Sequence, residues 1–154
     1  MALKEVEFYH GCVFSRLTQL KKAISVKRLL DYSQGFYILD DKLPIHIKHT
    51  TKKLSPWRFS FIKTHQDEIQ SLKDKHGFTL VIFVCGHDGI CCLEFDNFKN
   101  ILDYVHEEVE WVAIKRRKGE KYSVSGKDGE LKGKVGEVDL TKIVCSILNI
   151  DNTA

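Results

Sequence analysis

The sequence predicts one α/β domain with a mixed β-sheet flanked by helices. Three patterns lead to this prediction. Apolar residues recur at three- and four-residue steps near the start, which is typical of a helix. The continuous apolar run at 78–85 indicates a strand buried on both faces, and Leu43–Thr50 alternates as a half-buried strand does. The chain has 154 residues, 43% of them hydrophobic, so we expect a single domain over residues 1–154.

The first half of the chain is predicted to contain a helix followed by strands. The apolar stripe extends over 3–24, and 25–30 is ambiguous between the end of this helix and a first strand. Strands at Phe36–Leu39 and Leu43–Thr50 should pair as an antiparallel hairpin around a turn at 40–42. In the second of these strands the alternation places Ile45 and Ile47 on one face and His46 and Lys48 on the other.

The second half is predicted to alternate helices and strands around one central strand. A helix begins at Thr64, where a carboxylate three residues later completes a capping box, and it ends at Gly77. The run at 78–85 is the central strand, and a turn at 86–89 returns the chain as its hairpin partner. The other predicted elements are strands at 57–61, 90–93, 110–115 and 122–125 and helices at 95–104 and 139–148.

The cysteines indicate a reducing environment. Their odd number and the adjacent pair Cys91-Cys92 do not form the pattern of a disulfide framework. We therefore expect free and mostly buried thiols. No run of apolar residues is long enough for a transmembrane helix, and the charged first residues do not suit a signal peptide, so we expect a cytoplasmic protein without a membrane partner. The five cysteines are Cys12, Cys85, Cys91, Cys92 and Cys145.

The distribution of charge is more informative than its sum. The net charge is only +3, too small to indicate a nucleic-acid partner by itself. Residues 48–63, however, contain no acid, and this basic run predicts contact with nucleic-acid phosphates. The aromatic residues Trp57, Phe59 and Phe61 within it either stack on bases or belong to a core strand. The basic residues predicted to bind nucleic acid are Lys52, Lys53, Arg58 and Lys63.

The order of the predicted elements, together with the triplet His46-Ile47-Lys48, resembles the core of the PD-(D/E)XK nuclease superfamily. This superfamily contains restriction endonucleases and Holliday-junction resolvases, and its core runs helix, three strands, helix, strand. The resemblance covers about residues 5–85. It implies a restriction-endonuclease-like αβββαβ core, with the triplet standing where the family has an acid-x-lysine motif on the third strand.

The resemblance also implies a set of site residues. In the family, carboxylates hold a divalent cation that clamps a phosphodiester and activates water, while the lysine helps to position that water. The residues placed in the catalytic set are Glu5, Asp41, His46, Lys48 and Gln66. The carboxylates implied as metal ligands are one first-helix glutamate, Glu5 or Glu7, and one upstream acid, for which Asp31, Asp40 and Asp41 are the alternatives.

The triplet departs from the family pattern at its first position. His46 stands where the family has an acid, and a neutral imidazole is a poor ligand for Mg²⁺. We therefore expect poor or no cleavage with Mg²⁺ and a preference for Mn²⁺ if either metal binds. The resemblance predicts a nucleic-acid-binding protein of nuclease fold with a degenerate active site. The alternative is a non-enzymatic protein-interaction domain or homodimer, in which the basic run only keeps the protein in solution. For His46 and Lys48 themselves, the alternative to a site is a solvated strand face.

Overall fold

A computed structural model describes residues 2–152, which form four helices and nine strands in two sheets. None of these helices is both long and apolar enough to cross a membrane. In chain order the elements are α1 (Glu5–Leu17), β1 (Val26–Arg28), β2 (Phe36–Leu39), β3 (Leu43–Thr50), β4 (Trp57–Phe61), α2 (Lys63–His76), β5 (Leu80–Cys85), β6 (Gly89–Glu94), α3 (Phe95–Ile101), β7 (Glu110–Lys115), β8 (Ser123–Gly126), β9 (Gly129–Glu130) and α4 (Asp139–Leu148).

The first sheet has five strands in the order β1-β2-β3-β5-β6. Strands β2 and β3 form the predicted antiparallel hairpin, with Phe36 opposite His46. Strand β3 then pairs in parallel with β5, so that Ile45 lies opposite Leu80, and β6 returns antiparallel to β5. The sheet is therefore mixed, and the predicted α/β class and the interior position of the 78–85 run are confirmed.

The second sheet has four antiparallel strands in the order β4-β7-β8-β9. Strand β4 does not join β3, which precedes it. It pairs with β7, where Trp57 lies opposite Ile114 and Phe61 lies opposite Glu110. Periodicity predicts that 57–61 and 110–115 are strands, but it carries no information about which distant strand each one pairs with.

Apolar side chains form two clusters, one on each face of the first sheet. One cluster joins this sheet to α2, α3 and the second sheet, and the other joins it to α1 and α4. All six residues of β5 are buried. Phe83 points into the first cluster and its neighbour Ile82 into the second, which explains why this strand has an uninterrupted apolar sequence.

Several predicted boundaries differ from the structure. Helix α1 ends at Leu17, well before residue 24. The capping box at Thr64 is wrong, because α2 begins one residue earlier with Ile62 at its N-cap and no side-chain cap. The predicted end at Gly77 is confirmed, since this residue has φ 84° and donates its N–H to the Lys73 carbonyl. The described thiols are all free, as predicted, with Cys85, Cys91 and Cys92 buried.

Candidate functional site

A pocket of about 460 Å³ lies beside the part of β3 that β2 leaves unpaired. The register of β2 with β3 ends at the pair Phe36–His46, and one further backbone bond joins Ile47 N–H to the Gly35 carbonyl. Beyond this point side chains from both faces of β3 reach the open edge. The pocket is lined by Val6 and His10 of α1, by Gln34, by residues 46–50 of β3, by residues 58–60 of β4 and by His65 of α2.

His46 is buried in the wall of this pocket. Only 2% of the residue is exposed, and its ring stacks on Phe36 with 3.9 Å between centroids. Its Nδ1 lies 3.1 Å from the Gly35 carbonyl oxygen, which only accepts hydrogen bonds, so we assign the ring proton to Nδ1. Burial first, and then the positive charge of Lys48, lower the pKa of His46 well below its usual value. The imidazole is therefore neutral, with a lone pair on Nε2.

This Nε2 atom is buried, and no described residue forms a hydrogen bond with it. A buried acceptor without a partner is unfavourable unless a ligand or water supplies a donor. The alternative that His46 lies on a solvated strand face is therefore wrong. The side chain instead forms part of the wall of an open polar pocket.

Lys48 brings a cation into the same pocket. Its Nζ donates a hydrogen bond to the Ser60 carbonyl and lies 4.4 Å from the centroid of the Phe61 ring. Burial lowers the pKa of Lys48 to about 8, so the ammonium form still predominates at neutral pH. Among the described residues, no carboxylate forms an ion pair with it.

Three further histidines line this pocket, and no sequence pattern identifies them. His10 Nδ1 lies 2.8 Å from the Tyr37 hydroxyl oxygen, and burial followed by the nearby His49 lowers the pKa of His10 to about 4. His49 stacks on Tyr9, and the ring of His65 lies 5.4 Å from that of His46. Burial is the main cause that lowers the pKa of both His49 and His65. The pocket therefore contains neutral imidazoles around one ammonium group.

Two of the predicted acids lie away from the pocket. Asp40 and Asp41 form the turn between β2 and β3, with φ values of 51° and 55°, at the opposite end of β3 from Lys48. The carboxylate of Asp40 accepts a hydrogen bond from the Ser25 N–H at 2.8 Å. The carboxylate of Asp41 lies 3.0 Å from the Lys27 ammonium group. Both carboxylates therefore stabilise the turn and its contact with the start of β1.

The other predicted residues are also dispersed. Asp31 is exposed in the loop between β1 and β2. Gln66 is buried, and its amide nitrogen donates to His106 Nδ1 at 2.8 Å. Glu5 comes nearest to the pocket, because its carboxylate lies 4.0 Å from Nε2 of His49. Of the predicted catalytic set, the structure thus brings His46 and Lys48 together in the pocket, with Glu5 next to a histidine of its lining.

The donor set of the pocket does not fit Mg²⁺. This ion takes oxygen ligands, chiefly carboxylates and water, whereas no described Asp or Glu lines the pocket. The positive charges of Lys48 and Arg58 would also repel a dication, and this repulsion applies equally to Mn²⁺. An anion that accepts hydrogen bonds is the ligand that this lining suits.

The basic run predicted to contact nucleic acid divides into an exposed and a buried part. Arg58 lines the pocket, with its guanidinium 4.9 Å from the centroid of the Trp111 ring. Lys63 pairs with Asp67 at 2.7 Å. Lys52, Lys53, Arg58 and Lys63 are all exposed. The interleaved aromatic residues cannot stack on bases, because Trp57, Phe59 and Phe61 are buried in the core.

Comparison with family models, with curated proteins and with solved structures finds no match to this chain.

We predict that the free energy of unfolding falls as the pH decreases from about 6.5 towards 4. Unfolded histidines titrate near ~6.5, whereas burial lowers the pKa of His10 to about 4 and that of His46 well below its usual value. In this interval the unfolded chain binds more protons, so acid favours unfolding. Urea denaturation at a series of pH values measures the effect.

The matched variant is His10→Gln, which keeps a polar group near Tyr37. Its stability should depend less on pH between 6.5 and 4 than that of the wild type. An identical pH dependence in the variant would contradict the assignment of His10 as a neutral buried imidazole.

Proposed function

We propose that this protein binds nucleic acid through the phosphodiester backbone, with one phosphate in the pocket beside β3. The observation that carries the proposal is the partly buried Lys48 ammonium group, which has no carboxylate partner among the described residues. Its hydrogen bond to the Ser60 carbonyl leaves its charge without a counter-ion. A phosphate would supply the negative charge and would accept hydrogen bonds from the lining.

The composition of the lining supports an anion with several acceptor atoms. Arg58 adds a second cation at the pocket, and Gln34 and Thr50 add neutral polar groups. Because the histidines are neutral, they contribute polarity without crowding the site with like charges.

The surface next to the pocket supports a polymeric ligand. Lys52 and Lys53 are exposed directly after β3 and continue the basic character beyond the pocket. A strand of nucleic acid presents phosphates in series and gains from such an extended basic surface. In chain order, β4 stands between β3 and α2, so this part of the chain has one strand more than the superfamily core that the sequence resembles. The core order is matched only by the elements α1, β1, β2, β3, α2 and β5, since β4 belongs to the second sheet. The proposal of binding without cleavage therefore rests on the pocket chemistry.

We predict that binding weakens linearly in the logarithm of salt concentration. Removing Lys52, Lys53 and Arg58 by substitution with Ala should reduce the slope by about one unit for each lost phosphate contact. Fluorescence anisotropy with labelled single-stranded DNA, duplex DNA and RNA measures the binding affinity at each salt concentration. The control replaces Arg117, Lys118 and Lys132 by Ala, which removes the same charges from exposed positions outside the pocket.

If the control variant loses as much of the salt slope as the test variant, binding is a property of net charge and the proposed surface is wrong. Absence of binding to all three probes at low salt would favour the alternative of a protein-interaction domain or homodimer.

A second prediction concerns Lys48 itself. Lys48→Met keeps the aliphatic chain against Phe61 but removes the charge, and we expect about tenfold weaker binding, equivalent to ~1.4 kcal/mol. Wild-type affinity should fall as the pH rises through about 8, where the Lys48 ammonium group loses its proton, and the variant should lose this step. Equal affinity and an equal pH profile in both proteins would refute phosphate binding in the pocket.

A third prediction concerns catalysis. We expect no metal-dependent nicking of plasmid DNA above the protein-free level with Mg²⁺, since the pocket offers no carboxylate to hold the ion. The assay compares wild type with Lys48→Ala, in Mg²⁺ and in Mn²⁺. Strong Mg²⁺-dependent cleavage by the wild type that disappears in Lys48→Ala would establish an active nuclease and overturn this prediction.

A further inference from the structure

Three carboxylates converge near the end of α3 and the start of β7. Asp103 follows α3, Glu110 is the first residue of β7, and Asp128 lies in the turn between β8 and β9. One oxygen atom from each carboxylate lies within 4.8 Å of the other two. None of the three residues lines the pocket beside β3.

Glu110 is the unusual member of this group. Its side chain has no exposed surface, and neither of its carboxylate oxygens has a hydrogen-bond partner among the described residues. The nearest cation is Lys127, whose Nζ is 3.5 Å from Oε2 of Glu110 but only 2.5 Å from a carboxylate oxygen of Glu107. This leaves Oε1 of Glu110 without any partner. A buried carboxylate in this condition is strongly unfavourable unless a further cation is bound.

The fold determines why an acid is buried here. Glu110 lies opposite Phe61 in the register of β7 with β4, and directly paired residues point to the same face of a sheet. Phe61 belongs to the core, so the Glu110 side chain is directed to the covered face as well. The two exposed acids then lie at the edge of this covered region, where the end of α3 meets the β8–β9 turn.

Backbone contacts hold the other two acids in place. The Asp103 N–H donates to one oxygen of Asp128 at 3.0 Å, and one oxygen of Asp103 accepts from the Val105 N–H at 2.9 Å. The Asp128 N–H donates to the Ile101 carbonyl at 3.0 Å. A Cβ at Gly126 would clash with that carbonyl, so the close approach of α3 to this turn requires glycine. Each carboxylate therefore retains an oxygen atom that these bonds do not use.

We propose that Asp103, Glu110 and Asp128 bind a hard divalent cation of the Ca²⁺, Mg²⁺ and Mn²⁺ class. All three ligands are carboxylate oxygens, which these ions prefer to nitrogen or sulfur. Three negative charges face two ammonium groups, those of Lys127 and Lys99, so the site retains a negative charge. Asp103 and Asp128 are exposed and give a cation and its remaining water ligands access from solvent.

The bound cation would connect three elements. Asp103 would tie the end of α3, Glu110 the start of β7 and Asp128 the β8–β9 turn. Binding would then stabilise the folded chain by an amount that grows with the logarithm of the cation concentration. The cation would also supply the missing partner of Glu110. This site is independent of the proposed nucleic-acid function, and neither proposal fails with the other.

The test uses the full chain, freed of metal with EDTA and then exchanged into buffer without chelator. Isothermal titration with CaCl₂, MgCl₂ and MnCl₂ in separate experiments should give one saturable site for at least one ion, and that ion should raise the melting temperature. In Glu110→Gln and Asp128→Asn the dissociation constant should increase about ten- to hundredfold, a range known even for residues that only support metal ligands. The control is Asp96→Asn, an exposed acid at the start of α3.

Glu110→Gln has a second informative readout. Without divalent ions it should melt at or above the wild-type temperature, because the substitution removes a buried charge, and it should no longer respond to the cation. Asp128 is exposed, so Asp128→Asn tests the site even if Glu110→Gln folds poorly. Absence of a saturable heat and of a melting shift with all three ions overturns the proposal, as does an undiminished response in both variants.

Discussion

The parallel pairing of β3 with β5 is the constraint on which the rest of the structure depends. A parallel pair cannot be joined by a tight turn, so the chain must leave the sheet after Thr50 and return at Leu80. The intervening segment supplies β4 and α2, which cover one face of β3. The short β2 leaves the end of β3 unpaired on its other edge. These two consequences together create the pocket, because the covering elements bring Ser60 and His65 to the open edge.

Local patterns predict much of this arrangement but not its chemistry. Alternation in Leu43–Thr50 correctly separates Ile45 and Ile47 from His46, and the apolar run correctly identifies a strand buried on both faces. Burial of His46 was not predictable from β3 itself, since the residues that cover it belong to β2 and α2. The histidines at 10, 49 and 65 share no sequence spacing, and only the tertiary fold brings them together around Lys48.

The positions of the acidic residues also depend on the tertiary fold and could not be predicted from local sequence. Asp40 and Asp41 are close to His46 in sequence, and the resemblance to the nuclease superfamily places them with it. The hairpin instead places them at its turn, where aspartate tolerates positive φ, and extended chain separates them from Lys48. Glu110, by contrast, follows an acidic stretch that suggests an exposed position. Its burial depends on pairing with Phe61, about fifty residues earlier, which no local pattern indicates.

Burial acts on charged groups in the same way in the pocket beside β3 and in the group of carboxylates around Glu110, although the charges there have opposite signs. Removing a group from water disfavours its charged form. In the pocket this removes the positive charge from His10 and His46 and weakens that of Lys48 without eliminating it. A ligand that brings negative charge would restore the protonated lysine and be held by it. At Glu110 the buried group is a carboxylate that has only Lys127 near it and no hydrogen-bond partner among the described residues, and a further cation would stabilise it. The sign of the unpaired buried charge thus decides the class of ligand at each place.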